Sequence, residues 1–409
     1  MLLVFFNGLI SAQTVATFEV TLPHAATGIV IPVSVNLDQI TFLPGSSLAL
    51  MEVSGNERKQ IPFQIYQGQD RMLYWQIVPG SKKQAKYTYQ LVRDSKQHFD
   101  KITAANNNGS ITFEADNKNL LRYQYETVYP PEGQDSSYKR SGFIHPLWTP
   151  GGQVLTRIQP PDHYHHYGIW NPWTHVLFEG DTVDFWNIRG KQGTVRFAKS
   201  ISTVDGDVFA EIEALHEHIV FSKDGSEKKA LNELQTIRVY KPKKDGDYFI
   251  VDVTSKLNCA TENPFHILAY RYAGFGWRAT AYWDKDNMEV LTSEGKTRLN
   301  TDNTHARWII SQGALPDNSY GGLLMMSYPA NYNHPEPLRI WDLKANRGRG
   351  DYFANFAPTK DVDWVLEPGK TYVLKYRLIA FSGKYVGERA ESAWQDFAKP
   401  PEVFIIKGN

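Results

Sequence analysis

Five of the chain's 12 histidines fall within Ser141–His175, and three of them are nearly consecutive. The segment reads Asp162-His163-Tyr164-His165-His166-Tyr167-Gly168-Ile169-Trp170, with His145 upstream and His175 downstream. Imidazole does two kinds of chemistry well. It binds zinc, copper, iron or nickel through a neutral ring nitrogen, and it moves protons near neutral pH. In an extended stretch His163 and His165 point to one side and His166 to the other; in a loop all three can converge. The bland alternative is a set of structural corners, each histidine bonded to backbone. The density of the cluster beside Asp162, Trp148, Trp170 and Trp173 favours a shared site, because each buried imidazole otherwise needs its own partners. Asp162 is placed to accept a ring N–H and so fix a tautomer. His166 is then the candidate proton donor and His163 a further catalytic group, with His163 and His165 the alternative metal ligands, for a divalent ion such as zinc or calcium.

A second constellation spans Arg271, Arg278, Ser293-Glu294-Gly295 and His305-Ala306-Arg307-Trp308. Glu294, between serine and glycine, reads as a loop carboxylate suited to a general base or nucleophile. The arginines have the fork that grips a carboxylate, as a uronic acid demands; rim salt bridges are the ordinary alternative. In a third, His334 is flanked by Asn333 and Pro335, with Trp341 after it. The expected pocket joins His163, His165, His166 and Glu294, with His145, Trp148, Trp170, Trp173, His175, Arg271, Arg307, His334 and Trp341 as substrate-binding neighbours. The triplet Arg349-Gly350-Asp351 reads as a solvated turn. The single cysteine, Cys259, excludes an intramolecular disulfide and reads as a small packed residue.

Lys+Arg and Asp+Glu are both 44, so no charge surplus draws the chain to nucleic acid or an anionic membrane. Nucleotide-binding glycine loops, Cys-x-x-Cys pairs and a Gly-x-Ser-x-Gly elbow are all missing. Residues 1–12 are an apolar run closing on Ser-Ala before Gln13, the pattern of a secretory leader cut after Ala12; the alternative is a buried first strand. No later stretch approaches the length of a membrane helix, so the expected product is soluble and periplasmic or extracellular.

The elements that must hold these groups are strands. Period-two alternation recurs throughout: in Val208–Val220, residues Ala210, Ile212, Ala214, His216 and His218 share a face, with Glu211, Glu213 and Glu217 on the other. Tyr372–Phe381 and Phe249–Thr254 read likewise. One helix is expected, over Gly387–Ala398, stopped by Pro400-Pro401. Polar, turn-rich sequence near residues 96–110 marks a boundary. The expectation is all-β: a small N-terminal β-sandwich over 16–95, then a large antiparallel two-sheet supersandwich over 110–400.

At His145-Pro-Leu-Trp-Thr-Pro-Gly-Gly152, Asp162–Trp170 and Trp173-Thr-His175 the chain resembles the PmoA-like family of secreted bacterial proteins, labelled "methane oxygenase PmoA" and of unknown function. Glu294-Gly, Arg307-Trp308, Asn331–Pro335 and Trp341 match the family's later landmarks, and the resemblance covers roughly residues 110–382. It implies a galactose-mutarotase-like supersandwich, the fold of sugar epimerases, polysaccharide lyases and hydrolases, with histidines and acids on the large sheet. A carbohydrate-active enzyme, a glycoside hydrolase or lyase, is the leading expectation. A non-catalytic carbohydrate-binding envelope protein is the second, and a metal-dependent oxygenase the third. The sequence leaves the oligomeric state open.

Overall fold

A computed structural model describes residues 13–22, 28–79 and 86–408; the expected leader, residues 1–12, lies outside them. The fold is all-β, with antiparallel sheets throughout and one α-helix, Gly387–Ala398, among the described residues. The chain divides into two compact units, one ending at Asp100 and regaining the chain from Lys399 onward, the other Lys101–Ala398.

In the first unit, five strands order as Val403–Lys407, Thr14–Thr21, Lys86–Arg93, Leu48–Ser54 and Glu57–Ile61. Ile31–Asn36, Arg71–Ile77 and Gln64–Gln67 make a second, three-stranded sheet. Alternate residues of both sheets fill one core. Trp75 is its centre, with Phe18 stacked at 5.4 Å and Tyr89 edge-on at 5.5 Å. The last strand has no counterpart in the sequence reading, because Val403-Phe-Ile-Ile-Lys lacks alternation and follows two prolines. It pairs with Thr14–Thr21 as an edge strand, where one face needs no burial.

The second unit rests on two eight-stranded sheets. One contains the long strands Gly193–Val204, Phe209–Phe221, Glu227–Tyr240, Tyr248–Cys259 and Tyr372–Ser382. The other contains Lys118–Gln124, Phe143–Leu147, Ile169–Trp170, Phe275–Arg278 and Phe353–Phe356 in register. Alternation decides what each face does. Ile212, Ala214, Leu231, Val253 and Leu378 of the first sheet and Phe113, Leu121, Ile144, Trp277 and Phe356 of the second belong to one continuous core. Each such side chain contributes about 1.5–3 kcal/mol on burial. The alternate residues of the second sheet, Phe143, Trp170 and Phe353, leave that core and join Tyr167 and Trp186 in a separate aromatic cluster on the opposite face. The histidines sit on this second cluster.

The main core is not wholly apolar. His216, His218, Glu233, Ser255 and Asn171 are all buried in it. Glu233 accepts from Ser255 Oγ (2.5 Å) and Asn171 Nδ2 (3.0 Å) through one oxygen, and meets His218 Nε2 at 3.2 Å through the other. His216 pairs with Tyr123 Oη at 2.5 Å. Burial alone raises a carboxyl's pKa, but the contacts from His218, His216 and Ser255 hold that of Glu233 below its ordinary value.

Candidate functional site

The histidine segment is a loop on the Phe143–Leu147 and Phe275–Arg278 side of the sheet, and its turns are tight. His163 N–H donates to Pro160 O (2.8 Å), His166 N–H to His163 O (3.0 Å) and Gln159 N–H to His166 O (2.8 Å). Two successive turns fold the extended alternation away and bring the three rings to one point. Gly168 closes the loop at φ +55, and a Cβ there would lie 2.1 Å from Ile144 O, so only glycine fits. Ring centroids are 5.3 Å apart for His163–His165, 4.8 Å for His163–His166 and 4.7 Å for His165–His166. One ring nitrogen from each lies within 4.8 Å of the others.

Behind the rings stands a charged relay. His163 Nδ1 meets Asp162 Oδ2 at 2.9 Å. Arg278 Nη2 donates to both Asp162 oxygens, at 3.1 and 2.8 Å, and to Asp351 Oδ2 at 2.6 Å. Arg157 and Arg349 also pair with Asp351. The Arg278 guanidinium lies 4.5 Å from the Trp341 ring, whose face also meets His163 at 4.7 Å. Burial opposes ionisation of Asp162, yet the His163 hydrogen bond and Arg278 draw its pKa down to about 2. Burial first, then the neighbouring cationic and imidazole groups, lower His165 to about 3 and His166 well below the ordinary imidazole value. Burial among aromatic rings and beside cationic neighbours thus disfavours the charged form of His166. The ring packs between Trp170 (5.1 Å) and Phe353 (5.0 Å), with its Nδ1 buried and unpartnered among the described residues.

The rings form one wall of a cleft of about 470 Å³. Trp186, Tyr272, Trp341 and Phe353 supply aromatic walls, and Arg271, Arg339 and Lys344 supply cations. Arg339 is paired with Asp302 at 2.5 Å. Arg271 and Lys344 have no ion pair among the described residues; Arg271 lies over Tyr272 at 5.4 Å. Asp342 is the one carboxylate in the lining, and its Oδ1 accepts from Lys344 N. Gly276 makes room for the wall: a Cβ there would meet the Trp186 ring at 2.9 Å.

Of the expected residues, His163, His165, His166, Arg271 and Trp341 line this cleft and Trp170 backs it. The others lie elsewhere. Glu294 accepts from Ser293 Oγ (3.1 Å) and Arg307 Nη1 (3.3 Å), and Arg307 continues to Glu391 (3.1 Å) and lies over Trp394 on the helix. His334 faces the same Trp394 at 6.2 Å. Glu294, Arg307 and His334 thus gather around the helix, at the Met288–Thr292 and Trp308–Leu315 hairpin of the other sheet, and do not line the cleft. Their sequence spacing was blind to which sheet carries them. Trp173 has no exposed surface; it packs on Trp364 at 5.8 Å in the main core and offers no face to a ligand. His175 stacks on Tyr270 at 4.0 Å. His145 is bound to Thr156 Oγ1 at 2.8 Å, and burial and Arg122 lower it to about 4. Trp148 lies under Arg122 at 5.9 Å.

Asp351 was read as part of a solvated turn. It is 2% exposed and anchors three arginines. Little local signals this, since Arg157 and Arg278 lie far from Asp351 in the sequence. Trp186, Asn187 and Tyr272 were also missed. Asp184-Phe-Trp-Asn carries a usable signal, because Asp184 Oδ1 caps the Trp186 and Asn187 N–H groups at 2.7 and 2.9 Å and so fixes the turn that presents them.

Residues 110–395 match the model of a family of unknown function, DUF6807. The chain belongs to that family. The DUF6807 match falls within the second unit and includes every residue of the cleft. No curated protein matches the chain. Among solved structures, a heparan sulfate lyase HepC mutant from Pedobacter heparinus is 11% identical over 72% of this chain and 38% of its own, at TM-score 0.35. An alpha-mannosidase from Enterococcus faecalis is 10% identical over 97% and 48%, at TM-score 0.43. A glycosyl hydrolase family 38 protein from the same organism is 9% identical over 98% and 50%, at TM-score 0.42. This DUF6807 chain spans half or less of the length of each. No helix among the described residues is long and apolar enough to cross a membrane.

The cluster at the helix makes a prediction of its own. Glu336 is fully buried, accepting from Ser327 Oγ (2.6 Å), Asn331 Nδ2 (2.8 Å) and Tyr376 Oη (3.0 Å), with His334 one bond further at Ser327. Burial pushes its pKa up to about 7 despite these donors. The folded protein therefore holds this proton more tightly than the unfolded chain. The resulting stability is full below the ordinary carboxyl value of 4.5 and is lost as pH rises through about 7, on the order of 3 kcal/mol in all. Urea midpoints measured from pH 4.5 to 8 should fall for the wild type and stay flatter for Glu336→Gln. Parallel curves for the two proteins count against a protonated Glu336.

Proposed function

We propose that the cleft is the active site of an enzyme acting on an acidic carbohydrate, and that it works by elimination rather than hydrolysis. The observation that carries this reading is the convergence of three imidazoles in a cleft with an aromatic wall and two cations that have no ion pair among the described residues. An aromatic face suits the C–H face of a pyranose. Arg271 and Lys344 suit a carboxylate on that ring. A hydrolase of the usual kind needs two carboxyl groups flanking the scissile bond, and among the described residues Asp342 is the one carboxylate in the lining. Elimination asks instead for positive charge on the substrate carboxylate and a lone pair beside the adjacent C–H. The cations offer the first and the imidazole centre the second. The proton passes to that centre, its electron pair forms the C=C bond, and the glycosidic C–O bond breaks, the leaving oxygen taking a proton from water at the cleft mouth.

The apolar run before Gln13 supports export, where such polymers are met. The PmoA-like resemblance is compatible with this reading through its supersandwich; an oxygenase reading draws on the histidines alone. A sugar-binding protein without turnover is the second reading, favoured by the same aromatic wall.

The test is product analysis on uronate-containing and neutral oligosaccharides. Acidic substrates should yield unsaturated products that absorb in the ultraviolet. Arg271→Ala should raise KM about tenfold or more, the weight of one charged contact, with a smaller change in kcat. Hydrolysis of neutral glycans, or binding without products, overturns the proposal.

A further inference from the structure

We infer that His163, His165 and His166 form the seat of one divalent transition-metal cation, zinc being the closest match. This rests on the reading of the cleft as the functional centre and refines it: the imidazole lone pairs act through the cation and its bound water rather than directly on the substrate.

Three observations meet here. First, one nitrogen from each ring lies within 4.8 Å of the others. Tetrahedral zinc, with Zn–N near 2.0–2.1 Å, spaces its ligands about 3.4 Å apart, so modest side-chain torsions close the set. Second, two of the rings lack a side-chain partner. His165 and His166 have no side-chain hydrogen bond among the described residues, and His166, 3% exposed, leaves Nδ1 buried and bare. An orphaned buried polar atom is costly unless function retains it. Third, His163 is held from behind. Its Nδ1 faces Asp162, which Arg278 pins, and this leaves Nε2 as the nitrogen with a free lone pair. Metal-bound histidines are oriented in this way by an outer carboxylate.

The donor set selects the ion. Three imidazoles suit zinc and its neighbours, whereas calcium takes six or more oxygens. Three protein ligands also leave a coordination position for water or substrate, the mark of a reactive rather than a structural site. That position opens to the cleft lined by Arg271 and Lys344. A substrate carboxylate drawn by those cations would arrive beside the ion, and a bound water that has lost a proton to solvent would, as hydroxide, accept the substrate's proton.

The experiment uses the whole protein, stripped with chelator and titrated with Zn²⁺, with Co²⁺ as the optical probe. One ion per chain is expected, with the intense visible bands of four-coordinate cobalt. His163→Ala and His165→Ala, both at partly exposed positions, should each weaken binding about 100-fold or more, and Asp162→Asn about 10–100-fold. Near-ultraviolet circular dichroism checks that the variants remain folded. Wild-type binding weaker than about 10 µM, or tight binding that survives both histidine substitutions, overturns the inference. The two proposals fail separately. If zinc binds as described and no acidic glycan is consumed, the enzyme reading falls and the metal site stands. If stripped protein consumes the glycan at the full rate, the ion's part in the chemistry falls and the enzyme reading stands.

Discussion

Arg278→Met is expected to cost the protein about 3–5 kcal/mol of stability, the range found when one member of a buried ion pair is removed. It should also cut the function of the cleft about 10–100-fold, as loss of an outer-shell partner does. Arg278 is 0% exposed, and one of its nitrogens serves both Asp162 and Asp351. Without it, Asp351 retains Arg157 and Arg349, but Asp162 keeps only His163. Asp162 then loses the donor that fixes its carboxylate and holds the ring less firmly. Arg278→Lys should rescue little, because an ammonium lacks the flat guanidinium that lies 4.5 Å from the Trp341 ring. Urea unfolding gives the stability, and zinc titration or glycan turnover gives the function. A variant within 1 kcal/mol of wild type with unchanged binding and turnover would rule out this role.

The second large effect is in the main core. Glu233→Ala leaves Ser255 Oγ, Asn171 Nδ2 and His218 Nε2 facing a cavity that no water reaches easily. Each orphaned group costs about 1–3 kcal/mol, and a total of about 3–5 kcal/mol is expected. Asn171 follows Trp170, which backs His166, so the loss should also loosen the floor of the cleft. Glu233→Gln preserves the shape and one acceptor and should cost less than half as much. Chemical denaturation of the three proteins ranks them. Equal stability of Glu233→Ala and wild type would mean that the network contributes nothing net.

The strands that dominate the fold were legible because they are long and half-buried. In Phe209–Phe221, alternation alone assigned His216 and His218 to the apolar face, where they meet Glu233 across the neighbouring strand. The helix Gly387–Ala398 was legible from its apolar stripe and the prolines after it. The convergence of His163, His165 and His166 was legible as density, since clustered imidazoles seldom have independent uses. What could not be read was sheet membership. Glu294 and the histidines are equally polar loop residues in the sequence, and only the pairing of Met288–Thr292 with Trp308–Leu315 places Glu294 at the helix. Asp351 was hidden for a related reason. A carboxylate in a glycine-rich turn looks solvated until Arg157 and Arg278, far off in the sequence, are brought onto it.

The pairing of Thr14–Thr21 with Val403–Lys407 imposes an order on biosynthesis. The ribosome delivers the second strand about 380 residues after the first, roughly 20–80 s later at about 5–20 residues per second. During that interval the DUF6807 region can emerge and fold, while the N-terminal sheet waits with one edge open. Open edges recruit other strands. The nascent chain therefore carries an unfinished sheet until Val403–Lys407 emerges and becomes its outer strand.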